Sequence, residues 1–321
     1  MARWLATLLA GGGGLFAGPA ASQAPAPAAS ASCPALRRST IIWQPWASHA
    51  QLGPAYWNQM GELIRKEGYQ RVVIQWTAYG SAEFWPAHAP RWLATAMTQW
   101  HAPKLRLIVG LYMGDEYYSK LQLGDEDVRA HMVEAATRSV AIARRLKEHP
   151  PPLPIDGWYL PQEVDDLNWQ SLARERMLRS YLTKMRDALN RLAPAERPIP
   201  IFASTFFSGA TSPQRFARKL ARLHLDTGVI WVVQGGMGTR RMTEAATAPY
   251  LKAISATLPP SGWVGLLEVF DEQSKDGEIT FVPSADETIE QRRHVWCSST
   301  GRQPIMAFSL NQRMDKLRGG R

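Results

Sequence analysis

From residue 40 onward the chain alternates, eight times, between short β-branched or aromatic runs and stretches of helical periodicity. The runs are Thr40–Trp46, Arg71–Thr77, Arg106–Met113, Gly157–Glu163, Pro198–Thr205, Gly228–Gly235, Gly262–Phe270 and Gln303–Leu310. Most are apolar on both faces, as strands must be when a parallel sheet is covered on each side. Between them, Trp57, Met60 and Ile64 share one side of residues 54–67, and Val128, Met132, Ala136, Val140 and Ala143 recur from Asp125 to Glu148. Leu172, Leu178, Leu182, Met185 and Leu189 do the same from Trp169 to Leu192. Ser212-Pro213 suits a helix start ahead of Phe216 and Leu220, and Ser284 or Asp286 begins a last helix through Ile289 to Trp296. Eight such units in one uninterrupted run predict an α/β fold of the (β/α)8 TIM-barrel type rather than an open doubly wound sheet. No Gly-x-Gly-x-x-Gly follows the first run and no phosphate-loop motif occurs, which weakens a nucleotide-binding reading.

Residues 1–32 differ in kind. Arg3 is the only charge before Arg37, an apolar run from Trp4 to Phe16 is broken by Gly11–Gly14, and an Ala/Pro/Ser stretch follows. That pattern is a secretory signal peptide with a small-residue linker, cleaved between Ala20 and Ala31, and it predicts a periplasmic or secreted bacterial protein. The run is too short for a stable membrane span, and Ser30-Ala31-Ser32 before Cys33 lacks the branched apolar residue of a lipoprotein site. Residues 33–321 are then a single barrel domain, near the usual length of about 250 residues for this fold. The whole chain carries 37 basic and 28 acidic side chains, a net charge of +9. The basic residues are scattered, no nucleic-acid signature is present, and nucleic acid is not an expected partner. The two cysteines, Cys33 and Cys297, fall near the N-terminal face of neighbouring strands 1 and 8, so they are a candidate disulfide or a pair of free thiols.

Barrel enzymes carry their chemistry at the C-terminal strand ends and the loops beyond. Those positions hold Gln44-Pro45-Trp46, Gln75-Trp76-Thr77, Tyr112 through Asp115 and Glu116, Gln162-Glu163, Ser204-Thr205, Gln234 and Glu268. His49, His88, His101, His149, His224 and His294 are dispersed, so no metal set is expected, and no cofactor motif or Gly-x-Ser-x-Gly elbow occurs. Glu163 ends the fourth run and Glu268 lies near the end of the seventh, on opposite sides of a barrel mouth, where two inward carboxylates can flank one glycosidic bond. Strand alternation then turns Tyr159 and Pro161 inward with Glu163, and Val264 and Leu266 inward with Glu268. Asp115, Glu116, Asp165, Asp166, Asp271 and Glu272 are competing carboxylates in the adjoining loops. Among 13 tryptophans, Trp46, Trp76 and Trp85 stand at or just past strand ends, and with Tyr79 they are candidates for stacking on sugar faces. The remaining candidate substrate contacts are Gln44, Gln75, Tyr112, Asp115, Glu116, Gln162, Asp166, Gln234 and Asp271. The charged segment from Asp271 to Pro283, with Gly277 central, is expected to be a loop lining or covering the mouth.

At Glu163 and Glu268 the sequence resembles the clan A glycosidases, retaining (β/α)8 enzymes. That resemblance implies Glu163 as acid/base and Glu268 as nucleophile. Those enzymes usually place Asn before the acid/base, and here the position is Gln162. The chain also resembles a bacterial family of exported, glycosidase-like TIM barrels of unknown function. The motifs are Trp43-Gln44-Pro45-Trp46, Ile74-Gln75-Trp76-Thr77 and Gly157-Trp158-Tyr159-Leu160-Pro161-Gln162-Glu163 with Asp165-Asp166-Leu167-Asn168. The leading expectation is a retaining hydrolase of a polysaccharide such as bacterial exopolysaccharide or envelope glycan. The alternative is a non-catalytic carbohydrate-binding barrel partnered with exopolysaccharide assembly or export machinery. A polysaccharide deacetylase fits less well, because its Asp/His metal set is missing.

Overall fold

A computed structural model describes residues 39–85, 92–101, 104–149, 153, 155–193, 198–275 and 278–312. The expected leader and Cys33 lie outside the described residues; Cys297, on the last long helix, is disulfide-bonded.

Eight strands close a parallel barrel in chain order: β1 (Thr40–Trp43), β2 (Arg71–Ile74), β3 (Arg106–Gly110), β4 (Ile155–Val164), β5 (Ile201–Thr205), β6 (Ile230–Gln234), β7 (Trp263–Glu268) and β8 (Met306–Phe308). Each hydrogen-bonds the next, and β1 pairs with β8, Thr40 opposite Met306. Seven helices follow the first seven strands: α1 (Pro54–Lys66), α2 (Trp92–His101), α3 (Asp125–Lys147), α4 (Leu172–Asn190), α5 (Pro213–Thr227), α6 (Glu244–Thr257) and α7 (Asp286–Thr300). The expected (β/α)8 architecture is present.

Alternation along the strands divides the core in two. Ile42, Val73, Ile108, Tyr159, Val232, Leu266 and Met306 fill the interior, joined by Phe202, Val264 and Phe308, so every strand contributes. The intervening positions, including Trp43, Val72, Val109, Trp158, Trp231 and Leu267, face the helices in a larger outer cluster. Such two-sided burial is why these strands read as nearly continuous apolar runs. Gly157 keeps the inner layer open on β4: a Cβ there would stand 2.9 Å from the Phe202 ring and 3.2 Å from Ile108. Helix boundaries follow the capping residues. Ser212 is the N-cap of α5 with Pro213 behind it, and α5 ends at Gly228, whose φ of 70° is left-handed. The Ser171 side chain accepts the Arg174 N–H at 3.1 Å to start α4.

Two expectations change. Several strands stop earlier than their apolar runs; β1 ends at Trp43, because beyond it the Gln44 backbone pairs with a side chain. The Gln44 N–H donates to Asn311 Oδ1 at 2.8 Å and Asn311 Nδ2 donates to the Gln44 carbonyl at 2.9 Å. The segment after β7 is also no loop. Phe270–Lys275 and Glu278–Pro283 pair antiparallel as a hairpin, with Gly277 outside the described residues.

Candidate active site

The barrel mouth opens into a cavity of about 750 Å³. Glu163 and Glu268 both line it, from β4 and β7, as expected of inward positions on those strands. Their inner-layer companions Tyr159, Val264 and Leu266 sit below them in the barrel interior.

Glu163 is held from two sides. Tyr118 donates its hydroxyl to Oε2, and Gln234 Nε2 donates to Oε1 at 2.7 Å. Tyr117, the preceding residue on the short helix Tyr117–Leu121, donates to the Glu163 carbonyl at 2.6 Å, fixing the backbone as well. Burial pushes the Glu163 carboxyl above its ordinary pKa, opposed by the Tyr118 and Gln234 hydrogen bonds and the Arg241 charge. Glu268, 3% exposed, accepts the backbone N–H groups of Met237 at 2.8 Å and Gly238 at 3.0 Å through Oε2. Only glycine suits position 238, since a Cβ would stand 2.9 Å from the Glu268 Cβ and 2.8 Å from the Phe270 carbonyl. Burial raises the Glu268 pKa too, opposed by the Gly238 N–H, the Arg292 charge and the Met237 N–H. Two carboxyl groups whose burial raises their pKa thus share the mouth, each in a defined hydrogen-bond setting.

Beneath this pair the Arg292 guanidinium, 4% exposed, locks β7 to the hairpin. It donates to the carbonyls of Glu268 and Phe270, both at 2.8 Å, to Ser284 Oγ at 2.9 Å and to Asp271 Oδ1 at 2.5 Å.

The other expected contacts divide. Gln44, Trp46, Gln75, Trp76 and Gln234 line the cavity. Tyr79 stands one ring away from it, against Trp46 at 6.0 Å and Trp76 at 5.3 Å between centroids. Trp85 does not belong to the site: it is fully buried and its ring packs 5.1 Å from that of His149. Tyr112 is buried under Arg138, whose guanidinium lies 3.8 Å from the ring centroid. Asp115 and Glu116 are exposed, Glu116 pairing with Lys120. Gln162 faces outward, because alternation that turns Glu163 in turns its neighbour out; it donates to the Tyr112 carbonyl and accepts from the Tyr181 hydroxyl. Asp166 is buried as a loop anchor, accepting N–H groups from Ser208 and Thr211. Asp271 is the Arg292 partner.

Tyr118, Arg241, Phe270, Phe281 and Phe308 also line the cavity, and none figured among the expected contacts. Tyr118 stands two residues past Glu116, and Arg241 follows the glycine-rich Gly235-Gly236-Met237-Gly238 turn, so both lay within reach of a longer reading of those loops. Among the described residues no group of His, Cys, Asp and Glu is placed to hold a metal ion, and no helix is long and apolar enough to cross a membrane.

The closed parallel sheet and its covering helices define a (β/α)8 barrel. Superposition shows the same fold in a Bacteroides thetaiotaomicron protein provisionally assigned as an alpha-L-fucosidase (TM-score 0.62, 15% identity, 95% of this chain and 96% of that one). It recurs in a GH18 chitinase from Pseudoalteromonas aurantia (TM-score 0.53, 10% identity, 88% and 97% covered). A beta-mannanase from the blue mussel Mytilus edulis is similar as well (TM-score 0.51, 10% identity, 88% and 90% covered). The chain belongs to the DUF4434 family, a domain of unknown function, which it matches over residues 39–317. It is also similar to Uncharacterized protein YbcH of Escherichia coli K12, 28% identical over 249 residues, or 78% of this chain and 82% of that protein.

Proposed function

We propose that the protein is an exported glycoside hydrolase that cleaves a polysaccharide by a two-carboxylate, retaining mechanism. The observation that carries this reading is the convergence of half-buried Glu163 and buried Glu268 on one cavity at the barrel mouth. Glu163 protonates the leaving glycosidic oxygen while Glu268 attacks the anomeric carbon. Glu163 then takes a proton from water as the water displaces Glu268 from the glycosyl-enzyme. Gln44, Gln75 and Gln234 offer amides to hydroxyls, and the half-buried Trp46 offers apolar surface to a C–H face. The names of the similar barrels, a chitinase and a mannanase among them, agree with a carbohydrate substrate. The signal-peptide pattern of residues 1–32 supports periplasmic or extracellular action, with exopolysaccharide or envelope glycan as the substrate class.

The test is release of reducing ends from a panel of bacterial polysaccharides. Glu163→Gln and Glu268→Gln are each expected to lower turnover by about a hundredfold to ten-thousandfold. Activity that survives both substitutions overturns the site. A second reading, a carbohydrate-binding barrel attached to polysaccharide assembly or export machinery, is favoured by one observation: both Glu163 oxygens already accept hydrogen bonds. Saturable oligosaccharide binding with no product from any polysaccharide of the panel selects that reading.

A further inference from the structure

The cavity is chemically two-sided. Toward β1 and β2 its wall is polar and aromatic: Gln44, Gln75, Trp46 and Trp76. Gln75 is 7% exposed, and its Oε1 is buried with no hydrogen-bond partner, so this wall presents an acceptor that a bound hydroxyl or N–H would satisfy. Toward β7 and β8 the wall changes character. Phe270, Phe281 and Phe308 meet edge to face, with Phe270 centroids 5.2 Å from Phe281 and 5.7 Å from Phe308, and Pro283 continues the surface. This second wall adjoins the carboxylates: Phe308 is the register partner of Glu268 on β8, and Phe270 follows it by two residues.

A sugar hydroxyl turned toward three phenylalanines and a proline would lose its water and find no acceptor among their side chains, a costly arrangement. Phe270 is itself 2% exposed, backing the half-buried Phe281 and Phe308, and those two rings with Pro283 are still more surface than one deoxy methyl group covers. We infer that this phenylalanine wall is a subsite for an acyl substituent, and that the ligand is an N- or O-acylated saccharide. The acyl methyl lies against Phe270, Phe281 and Phe308, while the ring hydroxyls turn toward Gln75 and Gln44. The inference rests on the carbohydrate reading of the cavity but not on catalysis.

The full-length Glu163→Gln protein is titrated calorimetrically with matched oligosaccharide pairs. One is the tetramer of β-1,4-linked N-acetylglucosamine against that of β-1,4-linked glucose; the others are O-acetylated mannan, xylan and bacterial exopolysaccharide fragments before and after alkaline de-acetylation. At least one acylated member is expected to bind about tenfold tighter than its partner, as burial of an acetyl methyl and its carbonyl carbon implies. Phe281→Ala, on the hairpin, and Phe308→Leu, which keeps an apolar side chain, are expected to shrink that ratio with the melting temperature nearly unchanged for Phe308→Leu. Equal binding within every pair, tighter binding of the unsubstituted member, preference confined to deoxy sugars, or no binding by any member overturns the inference. Parallel assays of the wild type separate it from the glycosidase reading. Hydrolysis of unsubstituted chains with no acyl preference leaves only that reading standing, and acyl-selective binding without hydrolysis leaves only this one.

Discussion

At Glu163 burial and hydrogen bonding pull the carboxyl in opposite directions. Burial favours its neutral form, whereas the Tyr118 hydroxyl, the Gln234 amide and the Arg241 charge favour the carboxylate. Tyr118→Phe removes the first of those bonds, so the Glu163 pKa is expected to rise and the alkaline limb of a kcat/KM profile to move to higher pH. A stability effect has the opposite partner as its control. The folded-state pKa of Glu163 lies above the ordinary 4.5, so the stability linked to its protonation is fully present below 4.5 and is lost as pH rises through the folded value. Glu163→Gln, which stays neutral, is therefore expected to gain stability over the wild type toward neutral pH and to lose that advantage in acid. Thermal melts between pH 4 and 8 read it directly. At this scale the sequence was informative wherever alternation applied. The period of two that turned Glu163 and Glu268 inward also turns Gln162 outward, a consequence available from the same residues. Trp85 and Asp166 were not legible, because past a strand end nothing in the local pattern says which side a loop residue faces.

Among the elements, the hairpin after β7 was the least legible. Its charged residues and central Gly277 read as a loop, yet Phe270 and Phe281 lie on facing strands of it and bring their rings together at the mouth. What secures it is not its own ladder alone but Arg292 of α7, which bonds both strands' ends and the Glu268 carbonyl. Arg292→Met is expected to destabilise the fold by about 3 kcal/mol, the lower end for a broken buried ion pair, because Asp271 retains some solvent. Limited proteolysis of that variant should open the hairpin first. The barrel strands and five of the seven main helices, by contrast, were legible, whereas α2 and α6 were not marked by a periodic apolar face. Two-sided burial forces continuous apolar runs on the strands, and the 3.6-residue period marks the helices' buried faces. Only their ends shifted, where side-chain bonds such as those of Asn311 to Gln44 replace the ladder.

For the molecule as a whole, the interior layer takes a side chain from every strand, so no part of the barrel has a complete core of its own. Gly157→Val, which drives a branched side chain toward Phe202 and Ile108, is expected to cost about 1–3 kcal/mol and to lower a single cooperative melt rather than split it in two. Calorimetry distinguishes these outcomes. The tryptophans make the same point from outside the barrel: Trp43, Trp57, Trp92 and Trp100 pack edge to face or stacked against one another, leaving Trp46 and Trp76 to the cavity. The clasp between Gln44 and Asn311 joins residues 267 positions apart. Both the seam between the first and eighth barrel strands and the Phe308 side of the cavity depend on residues 306–312. A nascent polypeptide halted before Met306 therefore has an open sheet and a site lacking one wall, so the eighth strand must be made before any ligand meets a finished pocket.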